Sequence, residues 1–142
     1  MKKILPLLPV IITCVIILHS CKKTSDRFIN ESLAADTTAI LKFQGNFISG
    51  PYGTVSGMAK IYLKQGQYTL ALENFSSSNG PDLKVYLSKE QIPVNFIKLD
   101  NLRSTMGNQL YTVTGMPNFA AYKYALIHCE QYNHLFGSAL LE

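Results

Sequence analysis

The sequence is poor in tryptophan, cysteine and charge: its 142 residues include no tryptophan, three cysteines and 15% charged side chains. A hydrophobic content of 47% excludes an intrinsically disordered chain, and nine glycines exclude a collagen-like repeat. The formal net charge is +4, and without Lys2 and Lys3, which precede an apolar run, 11 basic residues stand against 9 acidic ones. This excess of basic residues is small and scattered along the chain, so no nucleic-acid partner is predicted.

The sequence also lacks the short motifs that carry most metal, haem and nucleotide chemistry. It contains no C-x-x-C, which excludes a thioredoxin-type dithiol, a four-cysteine zinc site and covalently attached haem. H-E-x-x-H, G-x-S-x-G and the P-loop are missing too, which argues against a conventional enzyme. No cofactor is evident: haem ligation by a histidine with Met58, Met106 or Met116 is conceivable, but no spacing supports it.

The first 20 residues are typical of a secretory signal peptide. Lys2 and Lys3 are followed by an apolar run over residues 4–18, and these 15 residues are fewer than the about 20 that a membrane-spanning helix needs. The run leads into the sequence LHSC at residues 18–21, which resembles the lipobox of bacterial lipoproteins. That resemblance implies cleavage before Cys21 and acylation of its sulfur. An ordinary signal peptide that ends near a cysteine is the alternative.

The lipobox resemblance also implies a location. Acyl chains on Cys21 would make the membrane a partner, since two or three chains anchor a protein stably. Lys22 and Lys23 follow the cysteine, with no Asp beside it, and by resemblance to lipoprotein sorting this favours the outer membrane of a bacterial cell envelope. Residues 21–36 are largely polar and are predicted to form a lipidated tether, with one β domain over residues 37–142.

Most of the chain beyond the tether alternates between apolar and polar residues with a period of two, which is typical of β-strands. Residues 57–64 and 68–73 alternate on both sides of a short link that contains Gly66, which predicts a hairpin. The pattern predicts an all-β fold, a single sandwich or partly closed barrel. It has about eight short, mainly antiparallel strands: 39–47, 57–64, 68–73, 83–88, 96–99, 110–113, 121–129 and 134–140.

Several segments of this domain resemble the DM13 family in their order and spacing. The opening pattern lies at residues 45–47 and 53–57, the central signature at 73–75 and 79–88, and later parts at 107–111, 122–129 and 136–140. His128, where the family often has an aromatic residue, and residues 89–102 depart from the pattern. The resemblance implies a β-rich extracytoplasmic module that takes part in electron transfer through a near-invariant cysteine, here Cys129. It also implies an envelope redox protein as partner.

Cys129 is singled out by its isolation as well, because Cys14 lies in the predicted leader and Cys21 is predicted to be lipidated. An unpaired thiol in an oxidising compartment needs an explanation. Strand alternation places Cys129 and His128 on opposite faces. If residues 130–133 form a four-residue hairpin loop, however, Cys129 faces His134 with a Cβ separation of about 5 Å.

An adjacent imidazolium raises the thiolate fraction of a cysteine, and the thiolate is the nucleophilic and oxidisable form. Cys129 is therefore the candidate redox residue and His134 its candidate partner, acting through sulfenic acid, a mixed disulfide or relay of an electron. The alternative is a non-catalytic envelope module that binds a protein, glycan or small ligand. In that case Cys129 is an inert buried residue, as free cysteines often are.

Overall fold

A computed structural model describes residues 26–142 of the chain. The predicted signal peptide and Cys21 lie outside these residues. The described chain forms nine strands: β1 (Ile29–Asn30), β2 (Ile40–Ser49), β3 (Val55–Lys64), β4 (Gln67–Ser77), β5 (Leu83–Ser88), β6 (Phe96–Asn101), β7 (Met106–Thr112), β8 (Tyr124–Cys129) and β9 (His134–Leu140). Across residues 26–142, no helix has the length and hydropathy to span a membrane.

All nine strands belong to one sheet, in the order β1-β7-β4-β3-β2-β9-β8-β5-β6. Neighbouring strands are antiparallel except β1 and β7, which run parallel. The sheet curls into a half-barrel, so the predicted all-β fold is confirmed. The strand beyond the eight predicted is β1, whose two residues are too few to show alternation.

Strand β2 joins the two halves of the sheet. Residues 40–46 pair with β3, whereas residues 47–49 pair with β9. Gly45 allows this close approach, because a Cβ atom there would lie 1.8 Å from the carbonyl oxygen of Leu140. Buried apolar side chains from both halves fill the space inside the curl, and Cys129 is one of them.

The loops lie at two ends of the half-barrel. Loops 50–54, 78–82, 102–105 and 130–133 meet at one end, which we call the Cys129 end. Backbone hydrogen bonds connect them in pairs: Ser78 N to Thr54 O at 2.9 Å, Ser77 N to Thr105 O at 2.8 Å and Glu130 N to Asp82 O at 3.0 Å. The turn at 65–66 and loops 89–95 and 113–123 lie at the opposite end, which we call the Met116 end.

Part of the predicted tether is attached to the sheet. Residues 26–36 fall within the tether that the sequence predicts, yet β1 pairs with the first residues of β7. This short parallel pair lies at one edge of the sheet, next to the Cys129 end. The boundary between tether and domain at residue 37 stays a prediction, but the described part of the tether contacts the domain.

Candidate functional site

A tight turn sets the geometry around the candidate redox residue. Strand β8 ends at Cys129 and β9 begins at His134, and the two are Cα partners across the four residues 130–133, as the sequence pattern predicted. Directly opposed residues of an antiparallel pair point to the same face, with Cβ atoms about 5 Å apart. Asn133 completes the turn with a φ of 52°, a left-handed conformation that asparagine tolerates well. The turn therefore brings the thiol and the imidazole to one face.

The thiol of Cys129 is closed off from solvent. Its exposed fraction is 0%, it forms no disulfide within residues 26–142, and it packs within the apolar core. Its partner on β5 is the equally buried Leu83. A reagent therefore reaches the sulfur only when part of the structure around it moves or unfolds. The register supports the predicted pairing with His134, and the redox role of either residue stays a prediction.

Three rings form a row over this end of β8, which we call the aromatic row: Tyr52, His134 and Tyr132. Tyr52 stacks on His134 with 3.7 Å between ring centroids and 3° between planes. The ring of Tyr132 is farther from His134, with 5.8 Å between ring centroids and 35° between planes. The exposed fractions of Tyr52 and Tyr132 are 56% and 58%, so the row leads from solvent to the residue opposite Cys129.

Sequence reasoning missed Tyr52. It lies in the loop between β2 and β3, 82 positions from His134, and the pairing of β2 with β9 brings the two together. The neighbouring Pro51 and Gly53 mark a loop, which indicates a turn but not the ring that packs there. Tyr132, in the turn between β8 and β9, is exposed and lies on the rim of the Cys129 end.

Two glycines of the family pattern hold the loops close around Phe136. A Cβ atom at Gly53 would lie 2.4 Å from the Phe136 ring, and one at Gly80 would lie 3.0 Å from it and 2.8 Å from Leu83. Any side chain at either position would push its loop away from the Cys129 end. The short distances explain in physical terms why these two motif positions are glycine.

The opposite face of β8 carries a second buried group. His128 is 4% exposed, and within residues 26–142 its Nδ1 atom has no hydrogen-bond partner. Burial lowers the pKa of His128, and this effect outweighs a hydrogen bond with Asn133 and the nearby charge of Glu130, which raise it. The imidazole is therefore neutral at pH 7. Its partner on β5 is Lys84, so it faces away from Cys129, as predicted.

Tyr86 and Glu130 form a polar cluster beside His128. The Tyr86 hydroxyl donates a hydrogen bond of 2.5 Å to Glu130, which also contacts Lys98 at 2.9 Å. Burial, followed by that hydrogen bond, raises the pKa of Tyr86 well above its usual range. Burial tends to raise the pKa of Glu130, but the hydrogen bonds from Tyr86 and Lys98 lower it on balance. The phenol therefore stays protonated and the carboxylate charged.

The described residues offer little for a metal ion. Among residues 26–142, no three or more His, Cys, Asp or Glu side chains are placed to hold one. His128 and His134 lie on opposite faces of the sheet, and Met116 lies at the other end of the half-barrel. This arrangement gives no support to the conceivable haem ligation by these residues, and the expected lack of a cofactor stays a prediction.

Within residues 26–142, the fold and the site define an all-β module with one buried cysteine, whose partner on the next strand is the central ring of the aromatic row. The family described as electron transfer DM13 matches residues 46–141. The chain therefore belongs to the electron transfer DM13 family, as the sequence motifs predicted, and this suggests a role related to electron transfer. No curated protein and no solved structure is significantly similar to the chain.

Proposed function

We propose that the protein is a lipid-anchored lipoprotein of the bacterial outer membrane, and that it takes part in envelope electron transfer through Cys129. Membership of the DM13 family supports the electron-transfer class. The observation that carries the role of Cys129 is its position opposite His134 beside the turn of the β8–β9 hairpin. The lipobox-like sequence that ends in Cys21 supports the anchor.

The burial of Cys129 determines how its chemistry proceeds. The turn at 130–133 opens and exposes the sulfur, and His134 accepts the thiol proton. The thiolate then attacks a peroxide oxygen, which forms sulfenic acid and releases hydroxide, or attacks a disulfide of an envelope partner, which forms a mixed disulfide and releases the partner's other thiolate. Sulfenic acid condenses with a thiol of a reducing partner to a mixed disulfide and loses water. In either case a second partner thiol attacks the mixed disulfide, restores the thiol of Cys129 and leaves the partner oxidised to a disulfide. When the turn closes again, the modified sulfur is shielded from other reagents.

One observation favours a second candidate function. The exposed fraction of Cys129 is 0%, and a buried free cysteine behaves as a small apolar residue. Under this alternative, the protein is a non-catalytic envelope module that binds a protein, glycan or small ligand. The aromatic row, with its two exposed tyrosines, is then a contact surface rather than a cover over a reactive thiol.

Oxidation of the native lipoprotein distinguishes the two functions. The purified full-length protein is treated with hydrogen peroxide or oxidised glutathione, and mass spectrometry follows the state of Cys129. The redox function predicts modification at a rate faster than global unfolding allows. His134→Gln is expected to slow modification several-fold. His128→Phe, the matched control on the opposite face, is expected to leave the rate unchanged.

Two results would overturn the redox function. One is modification that occurs only at the rate of global unfolding, measured separately in urea. The other is a Cys129→Ser strain with unaltered envelope electron flow and oxidant sensitivity, provided that the variant is folded and present at the normal level. Cys129→Ala serves as a second variant, because a buried serine hydroxyl without a partner could destabilise the core.

A further inference from the structure

We propose that the Cys129 end of the half-barrel lies against the surface of the lipid bilayer. This inference rests on the proposed lipidation of Cys21. It combines three features: the attachment of residues 26–31 to the sheet, the short link between Cys21 and Asp26, and the exposed aromatic rings at this end. The Met116 end then points away from the membrane.

The described N-terminal segment is fastened to the Cys129 end. Asp26 accepts hydrogen bonds from Thr105 at 3.1 Å and from Asn79 at 3.3 Å. Both partners lie in the loops that define this end, so Asp26, the first described residue, lies at the Cys129 end.

A second set of contacts continues along the same segment. The guanidinium of Arg103 makes two hydrogen bonds to the carboxylate of Glu31, at 3.0 and 2.5 Å, and Glu31 also accepts one from the backbone N–H of Leu110 at 3.0 Å. The hydrogen bonds of Arg103 lower the pKa of Glu31, because they favour the charged carboxylate. Together with the pairing of β1 and β7, these contacts attach residues 26–31 to the domain.

The link from the anchor to this attachment is short. Five residue steps separate Cys21 from Asp26, and a fully extended chain covers about 18 Å in five steps. Strand β3 runs from the Cys129 end to the Met116 end, and its ten residues span about 30 Å. If the Met116 end faced the bilayer, Asp26 would lie farther from the membrane than the link can reach. The link length therefore excludes that orientation.

Exposed rings favour contact through the Cys129 end itself. Phe28, Tyr52 and Tyr132 are 63%, 56% and 58% exposed, and tyrosine rings are favourable at the level of lipid headgroups. The Met116 end also exposes apolar side chains, including Ile92 and Val94, so exposure alone does not choose between the ends. The length of the link between Cys21 and Asp26 is what favours the Cys129 end. In this orientation, the reactants that contact the aromatic row are those held at the membrane surface.

Energy transfer to labelled lipids tests the orientation. Gln131 lies exposed in the β8–β9 turn at the Cys129 end, and Met116 lies exposed at the opposite end. Gln131→Cys and Met116→Cys, each with Cys129→Ala, receive the same fluorophore in the lipidated full-length protein. The proteins are inserted into phosphatidylethanolamine–phosphatidylglycerol vesicles with a headgroup acceptor. Transfer from position 131 is expected to be severalfold more efficient than transfer from position 116.

Insertion of 20 Gly and Ser residues between Ser25 and Asp26 is the matched control. A flexible insert of that length has a root-mean-square span of about 25 Å, so it relaxes the constraint, and the difference between the two positions is expected to shrink. Equal transfer from both positions without the insert would overturn the proposed orientation while leaving the anchor intact. If the protein fails to float with the vesicles, and Cys21→Ser changes nothing, the lipid anchor fails and the orientation fails with it.

Discussion

Replacement of Tyr52 by alanine is expected to accelerate the reaction of Cys129 with a small thiol reagent in the native protein. The ring of Tyr52 stacks on His134 at 3.7 Å and thereby connects the β2–β3 loop to the β8–β9 hairpin. Cys129, the last residue of β8 in that hairpin, is fully buried. The hairpin turn cannot move outward without breaking the stack, so Tyr52 stabilises the state in which the thiol is closed off.

The size of the effect follows from the geometry of the ring pair. An aromatic pair contributes about 0.5–1.5 kcal/mol beyond its buried area, and the 56% exposure of Tyr52 places this pair in the lower part of that range. A loss of about 0.5–1 kcal/mol from the closed state raises the population of the open state about 2- to 5-fold. If the turn closes faster than the reagent reacts, the modification rate rises by the same factor.

The assay is the pseudo-first-order modification of Cys129 by iodoacetamide, followed by mass spectrometry under native conditions. Tyr52→Phe retains a ring and is expected to react at the wild-type rate. Tyr132→Ala removes the more distant ring, 5.8 Å from His134 and tilted by 35°, and is expected to have a smaller effect. Urea denaturation of each variant supplies its global stability.

Two outcomes would refute the reasoning. If Tyr52→Ala and Tyr52→Phe react equally fast, the stack does not control access to the thiol. If the rate for Tyr52→Ala rises only in proportion to a loss of global stability, the thiol is reached by complete unfolding rather than by local opening of the turn.

Three further predictions concern stability in urea. Burial lowers the pKa of His128, so below about pH 6.5 this histidine binds a proton in the unfolded chain but not in the native state. Stability is therefore expected to fall as the pH drops below about 6.5, and His128→Phe should reduce this dependence on pH. Burial and a hydrogen bond to Glu73 raise the pKa of Tyr62 to about 12, so stability is expected to fall between pH 10 and 12; Tyr62→Phe should reduce that loss, and the raised pKa of Tyr86 should preserve a part of it. Tyr86→Phe removes the hydrogen bond to Glu130 and is expected to cost about 1 kcal/mol at pH 7, whereas an unchanged midpoint would show that the bond has no net value.

The alternation of apolar and polar residues predicted the strands, because a half-buried strand places apolar residues on its buried face and polar residues on its exposed face. It also predicted the register of Cys129 and His134, since a four-residue turn leaves little freedom in the pairing of the residues beside it. It could not predict β1, which depends on contacts with residues far along the chain, such as that between Glu31 and Arg103. A two-residue strand carries no periodic signal.

The burial of the outer face of β8 was hard to predict, whereas a buried Cys129, on its core face, was one of the two interpretations that the sequence offered. Leu126 and His128 on its outer face are as inaccessible as the core side. The loop at 89–95 lies over part of this face, where Gln91 donates a hydrogen bond of 3.2 Å to Ser138. That loop belongs to the segment that departs most from the family pattern. Because this loop is a different segment of the chain, the alternation within β8 does not predict that its outer face is buried.

The direction of the Tyr52→Ala effect also separates two kinds of redox chemistry. Covalent oxidation needs an atom of the oxidant at the sulfur, so loss of the cover should accelerate it. Direct relay of an electron needs no opening and instead uses close rings between the surface and the thiol, so loss of Tyr52 should slow it. Oxidation by peroxide and by a one-electron oxidant such as hexachloroiridate, compared in the same variant, therefore shows whether the aromatic row is a cover over Cys129 or a path to it.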